Sequence, residues 1–289
     1  MATTIVDTNN VTTARLNCLR DAGVKTIIRY YARDTGNPSK VVRRAEAQAI
    51  AAAGLRLGAV HEGRHGDKIS GFSQQIGFDD ARHSRAFAHS EVGQPAGSTI
   101  YFGVDFDTTQ AQVTNNVIPY FRGVAQAFNE SNGLPTYLVG AYGSGRTLRA
   151  LLGAGLAARA WLAQSTGWAG HDQFLASGDW TMNQLMPKTI CSLDCDPDDG
   201  NPLHPDIGDF VPQVGIAPVP SEAVAMIVNA TSGLRLRAGP GTQFDVIRVL
   251  PRGTRVNTGT HSGDWVMIDI NGDGSFDGFV LAAFLIPAA

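Results

Sequence analysis

Two carboxylates separated by one residue, Asp105 and Asp107, end the stretch STIYFGVDFD, residues 98–107. Ahead of them, residues 98–104 carry no charge and are β-branched, aromatic or small. In a strand, residues two apart point to one face, so the spacing predicts both acids on one side of a strand end. Other strand-like runs also end in groups that can do chemistry. Asp7 closes the first, Glu62 the third, Tyr142 the fifth, Gln164 the sixth, Gln184 the seventh and Asp194 the eighth. Acids, amides and a phenol on one rim suit a polyhydroxylated ligand, which is held by many hydrogen bonds rather than by a countercharge. Paired carboxylates roughly 5 to 9.5 Å apart are also what glycosidic bond cleavage uses, one as proton donor and one as nucleophile or base. Crowding several acids raises the pKa of at least one. Any single acid here is equally an N-cap or an ion-pair partner, and DTTQAQ makes Asp107 or Thr108 a natural cap for the next helix. The inference rests on their joint placement.

The elements that must position these residues alternate along residues 3–156. Strand-like runs at 3–7, 26–31, 56–62, 98–104 and 136–142 are followed by helix-like segments at 13–22, 40–53, 73–91, 110–132 and 146–152. Three of those helices stop at Gly23, Gly54 and Gly93, as helices followed by β-branched runs do in βα units. The rhythm then changes. Residues 159–165, 180–186 and 189–194 read as three further strands, with Gly-rich connections too short for full helices. Five βα units and three strands predict a TIM-like (β/α)5β3 barrel, whose chemistry sits at the C-terminal strand ends.

Residues 211–222 (VPQVGIAPVPSE) hold three prolines and no periodic pattern, which predicts a linker. Beyond it, short strands separated by AGPGT, PRGT and HSGD predict a small all-β barrel. The expected organisation is a barrel over 1–210, a Pro-rich linker over 211–222 and a small β-domain over 223–289. At 289 residues the chain is long enough for both. A net charge of −3 gives no case for nucleic acid. No run approaches the roughly 20 apolar residues of a membrane span.

The N-terminal MATTIVDTNN lacks a basic start and apolar core, so no signal peptide is expected. Three cysteines are too few for a disulfide framework. Cys18 falls in a helical pattern and is expected as a small buried residue. Cys191 and Cys195 would lie about 13 Å apart in one strand, too far to bridge unless the chain turns.

HEGRH, residues 61–65, satisfies the zinc-peptidase pattern H-E-x-x-H, which needs both imidazoles on one helical face. Here it follows LRLGAV and contains Gly63, so a rim loop presenting Glu62 is expected, with neither metal nor cofactor. Asp269, Asn271, Asp273, Ser275 and Asp277 in DINGDGSFDG match the start of a calcium loop, but the twelfth position is Val280. A hairpin turn on NG and DG is the plainer reading.

VDTN, YFGVDFD, AYGSG, AWLAQS, MNQL and SLDCD, in this order, resemble the family 25 glycoside hydrolases, the lysozyme-like muramidases. They are closer still to a bacterial glycoside-hydrolase-like domain usually labelled as of unknown function. The resemblance covers residues 3–200 and implies a (β/α)5β3 barrel. It makes Asp7 the first-strand carboxylate and Asp105 the first acid of the fourth-strand pair, with Tyr142, Gln164, Gln184 and Asp194 lining a sugar groove. Arg29 and Tyr31 of the second strand join that substrate-binding set. The muramidases carry Asp-x-Glu where this chain has Asp105 and Asp107, one methylene shorter, and position matters strongly in catalysis. Glu62 on the neighbouring strand could supply the acid instead. LRLRAGPG, VIRVLPRGTRV, GDWVMID and GFV resemble the bacterial SH3 domain over 223–287, a module that commonly attaches enzymes to peptidoglycan.

The expected function is glycoside hydrolysis on bacterial cell-wall peptidoglycan, with Asp105, Asp107 or Glu62 as acid and Asp7 as stabiliser or nucleophile. The alternatives are a barrel that binds wall polysaccharide without cleaving it and, less favoured, a zinc peptidase built on HEGRH. A monomer, secreted or wall-associated without a recognisable signal peptide, completes the expectation; a phage-type lytic enzyme or another export route would account for that.

Overall fold

A computed structural model describes residues 4–31, 38–63, 65–131, 133–213, 224–237, 239–242, 244, 246–270 and 277–288. The chain forms two compact units, Met1–Val214 and Gly215–Ala289.

The first unit is mixed α/β. In chain order it runs β1 (Ile5–Asp7), α1 (Leu16–Asp21), β2 (Thr26–Tyr30), α2 (Arg44–Ala52), β3 (Arg56–His61), α3 (Gln74–Phe87) and β4 (Thr99–Gly103). It continues with α4 (Gln110–Gln112), α5 (Ile118–Phe128), β5 (Leu138–Gly143), α6 (Gly145–Gly153), β6 (Arg159–Leu162), α7 (His171–Ser177), β7 (Met182–Gln184), β8 (Lys188–Ile190) and β9 (Leu193–Gly200). Gly23, Gly54 and Gly93, with φ of 99°, 76° and 68°, take the left-handed conformation that ends helices before the next strand.

Strands β1 to β7 pair in sequence, all parallel. Strand β9 then pairs antiparallel with both β7 and β1, closing an eight-stranded barrel. The eighth strand expected at 189–194 is therefore displaced. Residues 188–190 form only a hairpin arm on β9, and the closing strand is the acidic LDCDPDDG. Its alternation explains how so polar a run closes a barrel. Leu193 and Cys195 face the core beneath the helices, and Asp194, Asp196 and Asp198 share the opposite face by parity. The connection from β6 to β7 carries the short helix α7 between left-handed Gly170 and Gly178, where no full helix was expected.

Two apolar layers follow from the same alternation. Val6, Ile27, Leu57, Ile100 and Phe102 point outward beneath the helices. Ile5, Ile28, Val60, Tyr101, Trp161 and Met182 fill the barrel. Helices α3 and α5 approach through glycines: a Cβ on Gly77 would lie 2.0 Å from Tyr120 O, and one on Gly123 2.0 Å from Gln74 O.

The cysteines correct the expectation. Cys18 is exposed on α1 and forms a disulfide with Cys191 at the β8–β9 turn, 173 residues away. Cys195 is the buried free thiol.

The second unit is a seven-stranded antiparallel sheet: β10 (Ala225–Val228), β11 (Leu234–Arg237), β12 (Val246–Leu250), β13 (Arg255–Ser262), β14 (Trp265–Asp269), β15 (Gly278–Leu281) and β16 (Leu285–Pro287), in the order β12-β11-β15-β14-β13-β10-β16. Arg237 pins its first long turn, donating from Nη1 to the carbonyls of Thr242 and Phe244. The candidate calcium loop falls mostly on residues 271–276, and the expected linker mostly on 214–222; both stretches lie outside the described residues.

Candidate active site

The C-terminal ends of the parallel strands bring one connected set of polar side chains together inside the barrel mouth. Asp7 ends β1 and is almost wholly buried, at 1% exposure. Tyr30, ending β2, donates its hydroxyl to Asp7 Oδ1 (3.0 Å). Gln184, ending β7, donates Nε2 to Asp7 Oδ2 (2.8 Å) and accepts from the Tyr142 hydroxyl (2.9 Å). The chain Tyr142–Gln184–Asp7–Tyr30 therefore joins four strands of the mouth. Beneath it, Trp161 packs edge-on against Tyr142, with ring centroids 4.9 Å apart, and donates Nε1 to Asp198 Oδ1 (2.6 Å).

Glu62 and Asp105 occupy the adjacent part of the rim. Glu62 Oε1 accepts from Lys40 Nζ at 2.7 Å, and the same ammonium stands 4.4 Å over the Tyr30 ring. The Glu62 stem lies against two glycines: a Cβ on Gly66 would fall 2.9 Å from Glu62 Cγ, and one on Gly103 3.4 Å from it. His61 is in register with Phe102, which places Glu62 beside Gly103 and Asp105 two residues further on. At ordinary strand spacing and rise that puts their Cα atoms roughly 8 Å apart. The Asp105 amide donates to Gly66 O (2.9 Å), fixing the loop after β3 to the rim.

The electrostatics follow from burial and crowding. Burial first, and then Asp196 opposite, push the Asp7 carboxyl from 3.8 up to about 7, against the hydrogen bonds of Gln184 and Tyr30. Asp7 and Asp196 are register partners across the β1–β9 pairing. Burial likewise raises Asp196, and it raises Asp198 strongly, with Asp7 adding to the latter. Asp105 is pushed up to about 6 by burial and then by Glu62, while Lys40 and the Tyr142 hydroxyl pull it down. Burial and the facing carboxylates hold the Tyr142 and Tyr30 phenols high, hence protonated and able to donate. A half-buried carboxyl raised in this way beside a second carboxylate has the environment that general acid catalysis requires.

A cavity of about 390 Å³ between Arg149, Phe174, Asp179 and His204 lies at the opposite, N-terminal ends of β6 and β7 and holds no pair of acids. In barrels of this kind that face serves stability, and the C-terminal face carries the chemistry.

The profile of the Rv2525c-like, glycoside hydrolase-like domain matches residues 17–192, more than half of the chain. The chain belongs to this family. The bacterial SH3 domain profile matches residues 232–286. Among curated proteins, the uncharacterized protein YbfG of Bacillus subtilis is 33% identical over 195 residues, covering 64% of this chain and 26% of YbfG. FadG of the same organism is 28% identical over 182 residues, covering 62% of this chain and 31% of FadG. The chain thus matches under a third of the length of either relative. The Tat-secreted protein Rv2525c of Mycobacterium tuberculosis, solved with HEPES and with L-tartrate, shares the fold at a TM-score of 0.58. Identity there is 20% and 21%, over 72% of this chain and 99% of that one.

In this Rv2525c-like barrel, Asp7, Glu62, Asp105, Tyr142 and Gln184 meet at one mouth. Gln164 follows β6, and its Oε1 is buried without a hydrogen-bond partner among the described residues. Four expected residues stand elsewhere. Arg29 is fully buried outside the barrel and ion-paired with Glu46 at 3.0 Å. Tyr31 is buried there too, bonded to Gln94 and packed on Phe87. The second strand presents Tyr30 to the mouth instead, because its alternate residues Ile28 and Tyr30 point inward. Asp107 does not share a strand face with Asp105, since β4 ends at Gly103. It is exposed, and its Oδ1 accepts from Ala169 N (3.0 Å). The helix cap is Thr109, in a capping box with Gln112. Asp194 is exposed and bonded to Thr189 (2.9 Å); Asp196 and Asp198 are the β9 acids that reach inward.

The described residues of HEGRH, 61–63 and 65, are not helical. His61 ends β3, buried, with Nδ1 2.8 Å from Tyr31 O and 2.9 Å from Ser84 Oγ, and His65 lies in a turn. The zinc-peptidase geometry is therefore not formed. Among the described residues no group of three or more His, Cys, Asp and Glu side chains is arranged to hold a metal ion.

Proposed function

We propose that the barrel cleaves glycosidic bonds in bacterial cell-wall glycan, with Asp105 as proton donor and Glu62 as its carboxylate partner. The observation that carries this reading is Asp105: half-buried at the mouth, proton-retaining to about pH 6, and one strand away from Glu62. In the reaction Asp105 gives its proton to the glycosidic oxygen as the C1–O bond breaks. The Glu62 carboxylate stabilises the positive charge that develops on the sugar ring, and water then adds at C1, giving a proton back to the Asp105 carboxylate. Of the two parts expected for Asp7, stabiliser fits. Both its oxygens accept hydrogen bonds and it is closed off from solvent, so it acts by orienting Tyr30 and Gln184.

The SH3-like unit supports attachment to the wall, and the relation to a Tat-secreted protein supports a place outside the cytoplasm. The Cys18–Cys191 disulfide agrees, because such bonds persist in oxidising compartments. No helix among the described residues is long and apolar enough to cross a membrane.

A second reading, wall-glycan binding without cleavage, is favoured by one observation. Where the muramidases carry their glutamate this chain has Asp107, and its carboxylate is occupied by Ala169 N. Mass spectrometry of purified peptidoglycan after incubation separates the two. New sugar reducing ends establish hydrolysis; intact glycan with retained binding establishes the second reading.

A further inference from the structure

We propose a second binding cleft at the β1–β9 seam that takes a short, carboxylate-bearing peptide branch of the wall glycan. It rests on the wall-glycan reading of the mouth. The cleft measures about 290 Å³. One wall is the segment after β1, with Asn10, Val11, Ala14 and Arg15; the other is the β8–β9 turn, with Ser192 and Asp194.

Three features make it a built feature. Thr8, next to Asp7, donates its hydroxyl to Asp194 O (2.8 Å), which ties the far wall of the cleft to the strand end that carries Asp7. The far wall turns through Cys191 and Ser192, at φ of 55° and 59° the two left-handed non-glycine residues among those described. Side chains rarely adopt that conformation, and here it aims Ser192 at the cleft. Finally, the Cys18–Cys191 disulfide ties this turn to α1, whose entrance carries Ala14 and Arg15. Both walls are thus fixed before any ligand arrives, which lowers the entropy cost of binding.

The chemistry of the lining selects the ligand. Arg15 is exposed and has no ion-pair partner among the described residues, and its guanidinium fork matches a carboxylate. Val11, 52% exposed, and Ala14 offer contact to a small apolar side chain. Asn10 and Ser192 can bond peptide N–H and C=O groups. A neutral sugar chain would leave the Arg15 charge unmatched; a peptide of small residues ending in a carboxylate sets that group on Arg15 and turns its N–H groups to the Asp194 carboxylate on the other wall.

The test is an NMR-monitored titration of the full chain and of its Arg15→Ala variant with three probes. These are N-acetylmuramyl-L-alanyl-D-isoglutamine, its dipeptide alone, and chitotetraose. We expect both peptide probes to bind the parent, Arg15→Ala to weaken both about tenfold, and chitotetraose to be unaffected by the substitution. Failure of both peptide probes to bind, or peptide binding that ignores Arg15→Ala, would overturn the proposal. Arg15-dependent peptide binding with no chitotetraose binding would keep the cleft and remove the glycan reading of the mouth.

Discussion

Lys40 Nζ lies 2.7 Å from Glu62 Oε1, and the two side chains retain 18% and 23% of their exposure. The pair therefore sits at the open surface of the mouth, where its ammonium also acts on Asp105. Lys40 lowers the Asp105 pKa while Glu62 and then Asp67 raise it, so Asp105 is set between one cation and two carboxylates.

Replacing Lys40 removes the cation that pulls the Asp105 pKa down. For a general acid, activity falls as pH rises through its pKa. Lys40→Met should therefore move the descending limb of the pH–rate profile from near pH 6 to higher pH. A limb that stays in place or moves down would contradict this role for Lys40.

Asp7 couples folding to pH. Its folded pKa, about 7, stands above its ordinary 3.8, so the native state holds the proton more tightly than the unfolded chain. Its favourable contribution is complete below pH 3.8 and is lost as pH rises through 7, by up to about 1.4 kcal/mol per pH unit. Asp198, also raised by burial, works in the same direction. The melting temperature of the barrel should fall between pH 5 and pH 8, and Asp7→Asn should flatten that slope. Thermal unfolding across this range checks it, and a melting temperature that rises with pH would refute it.

The Cys18–Cys191 bond spans 173 residues and fixes the turn before the closing strand. Its loss by Cys18→Ser should cost about 2 to 5 kcal/mol. The measurement is denaturant unfolding of the parent and variant, with the parent also examined under reductant. Equal midpoints in all three would show that the bond carries no stability.

Much of the barrel is legible in residue order, because β-branched runs and Gly-stopped helices mark its first five βα units without ambiguity. The mouth is harder to read, because assigning a strand end does not assign its inward parity. TIIRYY contains one tyrosine that faces the mouth and one that does not, and only Ile28 on the barrel axis fixes Tyr30 as the first. LDCDPDDG is harder still. A run with four aspartates and a proline has the composition of a loop, yet its period of two puts Leu193 and Cys195 in the core and the acids opposite. The disulfide was beyond reach for a different reason. Nothing local joins Cys18 to Cys191, and barrel closure alone brings α1 beside the β8–β9 turn. Lys40 reaches Glu62 from the segment before α2, and no spacing rule links the two.

The decisive measurement is the rate of reducing-end release from purified peptidoglycan at pH 5 to 6 by the parent chain, Asp105→Asn and Asp107→Ala. Removal of a general acid costs about 10² to 10⁴ in rate, whereas the Asp107 carboxylate is exposed and accepts from Ala169 N. The predicted result is measurable release by the parent, a loss of that size in Asp105→Asn, and a rate within a few-fold of the parent in Asp107→Ala. Release that survives Asp105→Asn but disappears in Asp107→Ala would contradict the assignment of the acid, and no release by the parent would contradict the account as a whole.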